Sequence, residues 1–167
     1  MSRIVITGAS PLDGEPADIV IEGERITDVV PAGQADVSDS RVLDGSELIA
    51  LPGFVDLHTH LREPGREDAE TVETGTMAAA LGGFSCVHAM ANTDPVADTA
   101  GVVEQVWRLG RQAGWCEVRP VGAVTIGLAG SHMAELGAMA ASAAQVRLFS
   151  DDGKCVDDAV IMRILDD

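Results

Sequence analysis

In a chain with only four histidines, His58 and His60 stand two apart at the end of the run Phe54-Val-Asp-Leu57. Alternate residues of a strand share a face, so both imidazoles point one way, with Asp56 if the strand runs through it. Two imidazoles on one side of a strand end can reach a single divalent ion, and zinc suits such nitrogen donors. The spacing alone leaves a second reading open, two polar histidines at a strand mouth. Arg62 follows two residues later, ahead of Glu63-Pro64-Gly65. The proline there holds its predecessor extended and the glycine permits a tight bend. A planar guanidinium so placed can grip a carboxylate. The plainer reading is an internal ion pair with Glu63, Glu67 or Asp68. His88 and His132 have no such pairing and read as ordinary, satisfied histidines.

Two later segments carry compatible chemistry. Ala89-Met-Ala-Asn-Thr-Asp-Pro95 puts Asn92 just past an apolar run, and Phe149-Ser-Asp-Asp-Gly153 puts Asp151 and Asp152 past another. Each is also an ordinary turn sequence. Three strand ends bearing ligand-type residues would complement one another if one sheet brought their mouths together.

The elements that must do so are legible as patterns. Residues 1–51 read as a small β module. Its short runs are Arg3 to Thr7, Asp18 to Glu22, Arg25 to Val30, Val42-Leu43 and Leu48 to Leu51, with a hairpin at Gly23. Pro52-Gly53 punctuates its end. Residues 52–167 alternate strand and helix. The strands are Phe54 to His58, Phe84 to Ala89, Glu117 to Val121 and Gln145 to Phe149. Helices follow from Val72, Thr76, Ala79 and Ala80, from Val102, Val106, Leu109 and Ala113 up to Gly114, and from Asp157 to Leu165. Glu70 and Glu73 suit the first turn of the first helix. Alternation of this kind means a parallel sheet, open or closed into a barrel. A (β/α)₈ barrel takes about 250 residues, so four strand-helix units amount to roughly half of one. Half a barrel leaves unpaired strand edges and an uncovered interior.

Composition sets outer limits. The 46% hydrophobic content can bury a core, and a formal net charge of -16 repels phosphates, which excludes nucleic acid and anionic membranes as partners. Cys86, Cys116 and Cys155 are isolated and odd in number, as expected of buried thiols in a reducing, cytoplasmic compartment. No signal peptide and no membrane span is legible.

The segment LPGFVDLHTHLREPG closely resembles the signature of the bacterial zinc dihydroorotases of the amidohydrolase superfamily, and AMANTDPV and VRLFSDDG follow in the family's order and spacing. GFVDLHTH is common to many amidohydrolases, whereas HLREPG with the ANT and FSDDG segments is far more specific. The resemblance spans the whole chain. It implies an α/β fold, the N-terminal part of a (β/α)₈ TIM barrel preceded by a small β-sandwich module. The implied subgroup bridges two zinc ions with an aspartate instead of a carboxylated lysine.

His58 and His60 then match metal ligands, and Asp151 the bridging carboxylate, with Asp152 as second choice. Arg62 and Asn92 match the groups that hold the substrate carboxylate, with His60 beside them. Asp94 stands where the family more often has asparagine. The implied reaction is the reversible cyclisation of N-carbamoyl-L-aspartate to L-dihydroorotate in pyrimidine synthesis, a small anionic substrate handled in the cytoplasm. The catalytic aspartate and two further histidine ligands are expected beyond residue 167. A chain of this length is therefore expected neither to close the barrel nor to turn over by itself.

Two other readings remain. A hydantoinase- or allantoinase-like enzyme needs a carboxylated lysine on the fourth strand, but the single lysine, Lys154, follows Asp-Asp-Gly. A non-catalytic scaffold associating with aspartate transcarbamoylase, or a homo-oligomer, would be an interaction role instead.

Overall fold

The β-branched runs of the first fifty residues form strands in the computed structural model, which describes residues 3–166 apart from 13 and 155. They are β1 (Arg3–Pro11), β2 (Ala17–Glu22), β3 (Arg25–Pro31), β4 (Arg41–Asp44) and β5 (Ile49–Ala50). The sheet order is β3-β2-β1-β4, with β5 also on β1. β2 pairs antiparallel with β1 and β3, while β4 and β5 run parallel to successive halves of β1. Gly23, at a φ of 63°, turns the β2-β3 hairpin. Both short strands pair with β1, so the described strands join into one five-stranded mixed sheet. Val5, Ala9, Ala17, Ile19 and Val20 are buried in this unit, which ends at Pro52.

Asp18 is the buried charge here, 1% exposed. Its carboxylate accepts from the amides of Gly8 at 3.0 Å, Gly33 at 2.8 Å and Ala35 at 3.1 Å. The Ala35 amide foremost, helped by those of Gly8 and Gly33, holds the carboxyl below its ordinary value although burial pushes the other way. A folded-state pKa below the unfolded one adds stability that is complete above about pH 4 and is lost as pH falls through the lower folded value. Thermal melts taken from about pH 5 downward should therefore show the melting temperature falling. Asp18→Asn should melt lower at neutral pH and show a shallower acid slope. Asp36, Asp44 and Glu67, also held low, keep some slope in that variant.

The second unit, from Gly53 on, builds the expected alternation. β6 (Phe54–Thr59), α1 (Val72–Leu81), β7 (Phe84–Ala89), α2 (Ala100–Ala113) and β8 (Glu117–Pro120) come first. A 3₁₀ turn (Ile126–Leu128), α3 (Leu136–Ala141) and α4 (Ala159–Asp166) follow. The three strands form a parallel sheet in the order β6-β7-β8. α1 starts where Thr71 and Thr74 close a reciprocal capping box, with Glu73 in the first turn. α2 buries Val103, Val106 and Gly110, and ends at Gly114 in the left-handed region. A Cβ on Gly110 would lie 2.4 Å from that of Val118, so the approach of α2 to β8 requires glycine there. Leu61, Val72, Val87, Ala89, Val106 and Val118 form the core that joins helices to sheet.

The fourth strand expected over Gln145 to Phe149 is reduced to one parallel bridge, Gly122 to Phe149. Gly122 donates to the Leu148 carbonyl at 3.0 Å and accepts from the Ser150 amide at 2.9 Å. Pro120, which ends β8, has no amide to donate, so the ladder stops and resumes only at Gly122. At the other edge, β6 leaves Phe54, Val55 and Leu57 half or more exposed.

Cys86 is buried and Cys116 half-buried, both free. Desolvation pushes both thiols up, so neither is poised as a thiolate. Cys155 lies outside the described residues. Among those residues no helix is long and apolar enough to cross a membrane.

Candidate metal centre

β6 delivers both histidines to the C-terminal end of the parallel sheet. Their rings lie 5.1 Å apart, edge on face. His58 Nε2 is 3.3 Å from Asp152 Oδ1, and His60 Nε2 is 3.4 Å from Asp152 Oδ2. One ligand atom from each of His58, His60 and Asp152 lies within 4.8 Å of the others. Asn92, just past β7, connects two of them. Its Oδ1 is 3.0 Å from His60 Nδ1, and its Nδ2 faces Asp152 Oδ2 at a long 3.5 Å. With the amide nitrogen toward the carboxylate, the amide oxygen must accept from Nδ1–H. In the neutral ring protonated at Nδ1, Nε2 of His60 presents a lone pair toward a carboxylate oxygen. Either a proton or a metal cation between them satisfies this contact. Two imidazole nitrogens and one carboxylate oxygen fit zinc by donor type.

Asp151 does not share this position. It is 6% exposed, and its carboxylate accepts from the amides of Val124 at 2.8 Å and Thr125 at 3.0 Å, and from the Thr125 hydroxyl. Of the two neighbouring aspartates, the second joins the histidines and the first turns into the loop after β8. Asp56 also stays apart from the cluster, its carboxylate accepting from the His58 amide at 3.0 Å.

Around Arg62 the chain settles which carboxylates remain available. Glu63 accepts from the Val72 amide at 2.7 Å, anchoring the first turn of α1. Glu67 accepts from the Gly65 amide at 2.9 Å, and Asp68 pairs with Arg66 at 3.8 Å. All three candidate partners of Arg62 are thus engaged elsewhere, and among the described residues its guanidinium makes no ion pair. Arg62 itself has a φ of 63°. Pro64 O accepts from the Asp94 amide at 3.0 Å, and a Cβ on Gly65 would lie 2.4 Å from Asp94 O. The loops after β6 and β7 therefore interlock at a glycine, close to Arg62 in one and Asn92 in the other.

A family model for dihydro-orotase-like proteins matches residues 47–163. The chain belongs to the dihydro-orotase-like family. It is 63% identical over 163 residues to the dihydroorotase of Streptomyces coelicolor, covering 98% of this chain and 38% of that protein. To the dihydroorotase of Mycobacterium tuberculosis it is 54% identical over 162 residues, covering 96% and 37%. The chain thus spans little more than a third of the length of the curated relatives it matches. Among solved structures, the L-hydantoinase of Arthrobacter aurescens superposes with a TM-score of 0.63 at 22% identity, covering 77% of this chain and 29% of that one. That likeness extends to the fold, a mixed α/β arrangement.

Of the residues singled out from sequence, the structure brings together His58, His60, Asn92 and Asp152, and places Asp151 in the adjoining loop. His88 is satisfied, its Nδ1 3.2 Å from the Asp56 carbonyl oxygen, and His132 contacts the Ser131 hydroxyl at 3.1 Å. Lys154 is exposed in the turn after Asp152 and its amide donates to Asp151 O at 2.8 Å. Three contacts escaped sequence reasoning: Glu63 on α1, Asn92 on His60, and Thr125 on Asp151. The signal for the first is a carboxylate ahead of a helix start. The other two join residues 32 and 26 positions apart, with no local signal.

Proposed function

We propose that this chain is the N-terminal, metal- and substrate-holding part of a zinc-dependent dihydroorotase, which interconverts N-carbamoyl-L-aspartate and L-dihydroorotate. The observation that carries the reading is the cluster of His58, His60 and Asp152, with Arg62 two residues past His60 and its guanidinium in no ion pair among the described residues. We assign the carboxylate ligand to Asp152, because both oxygens of Asp151 already accept from donors of the loop after β8. By the family resemblance a complete site would hold two zinc ions, with His58, His60 and Asp152 among the residues that would hold them.

Zinc bound there supplies Lewis acidity, polarising the reacting carbonyl and activating water near neutral pH. The chain's own residues prepare the geometry. Asn92 holds the His60 ring with its Nε2 presented. Arg62 offers a bidentate fork to a substrate carboxylate, and in this role it turns a flexible anion into an oriented one. Asn92 stands at the same mouth and takes part of that carboxylate in this reading. The aspartate that moves the proton on nitrogen, and two further histidines, belong to chain beyond residue 167. Closure into a (β/α)₈ barrel would cover the exposed Phe54, Val55 and Leu57 of β6, which supports a larger barrel in the complete protein.

The test is ring opening of L-dihydroorotate by the full natural chain, followed by loss of its ultraviolet absorbance. Chelation should abolish the rate and added zinc restore it, with a 5-substituted hydantoin turned over poorly. A chelated protein that keeps its full rate, or a preference for the hydantoin, would sink the proposal.

A further inference from the structure

We propose that Asp151 and Thr125 form a positioning pair that sets the direction of the Asp152 carboxylate, a role that rests on the metal site assigned above. Neither residue belongs to the cluster of His58, His60 and Asp152, yet both are buried, Thr125 completely. Burying a carboxylate is costly unless its lone pairs are met, and three donors meet them here. Oδ1 takes the amides of Val124 and Thr125, and Oδ2 takes the Thr125 hydroxyl. That hydroxyl in turn accepts from the Gly130 amide at 2.9 Å, so the loop from 124 to 130 closes around one acceptor-only group. Asparagine would not fit this pattern. Its NH₂ would face a hydroxyl that already accepts one bond, and the hydroxyl proton would lose its acceptor.

The network acts on Asp152 because the two carboxylates leave the chain in different directions. With Asp151 drawn into the loop after β8, Asp152 is left facing His58 and His60. Bonds on either side hold this register: Ser150 N to Gly122 O at 2.9 Å before the pair, and Lys154 N to Asp151 O at 2.8 Å after it. Groups behind a metal ligand that fix its orientation are worth about ten- to a hundredfold in metal affinity.

The experiment uses the full natural chain, with zinc affinity measured by chelator competition and the visible spectrum recorded after cobalt substitution. Thr125→Val and Asp151→Asn should each weaken zinc binding by about ten- to a hundredfold and shift the cobalt bands. Thr125→Ser, which keeps the hydroxyl, should restore both readouts. Asp152→Asn, run alongside, reports on the site itself. If Thr125→Val and Asp151→Asn lower only the melting temperature, with zinc affinity and cobalt spectrum unchanged, the pair is purely structural and the positioning role is overturned. Failure of serine to rescue overturns it as well. Should Asp152→Asn also bind zinc normally, the metal-site assignment is what failed.

Discussion

Asp152→Ala is expected to lower zinc affinity by at least about a hundredfold, more than loss of any residue that merely orients a ligand. The reason is both electrostatic and geometric. Asp152 faces the Nε2 atoms of both histidines, at 3.3 Å and 3.4 Å, and brings the negative charge to a set otherwise made of neutral imidazoles. Without it, two imidazoles 5.1 Å apart remain, one of them, His58, more than half exposed. Competition with a coloured chelator gives the affinity directly, independently of turnover. Metal binding that survives the substitution would mean that the ion, if held, is held by other donors.

Replacement of Arg62 should act on substrate and spare the fold. A hydrogen bond to a charged group is worth about 1.5–3 kcal/mol, so Arg62→Met should raise KM for L-dihydroorotate by about ten- to a hundredfold. Arg62→Lys should recover only part of this, since a point charge cannot make the paired, planar contact of a guanidinium. The competing idea, that Arg62 is an internal ion-pair residue, predicts the opposite split. In that case the melting temperature would fall and KM would stay. Glu63, Glu67 and Asp68 each have another partner in the structure, which is why the first outcome is expected.

The interlocked loops explain why this arginine can stay uncommitted. Glu63 is spent on the start of α1, and Gly65 lets its loop close against Asp94 where any side chain would collide. The acidity of Glu67 and Asp68, unexplained by the sequence pattern, goes into closing the turn at Gly65 and pairing with Arg66.

Periodicity in the sequence was enough to place the strands and helices around the site, because period-two and period-3.6 burial are local properties of the chain. The same local rule put His58 and His60 on one face. The hairpin at Gly23 and the stop at Gly114 were legible for an equally local reason, the conformational freedom of glycine. The stretch from Gln145 to Phe149 has a strand's composition, yet it pairs through one bridge at Gly122, since pairing depends on what the neighbouring strand offers and β8 ends in proline. Which of two adjacent aspartates meets the histidines was beyond the sequence altogether. Asp151 and Asp152 are chemically identical, and their roles part only where the loop carrying Val124, Thr125 and Gly130 folds back to fill one of them with donors. The sequence by itself thus determined strands β6 to β8, helices α1, α2 and α4 and the candidate ligands, but not the short helix α3. Tertiary structure alone decided which carboxylate faces the histidine pair, because that choice rests on hydrogen bonds between residues more than twenty positions apart.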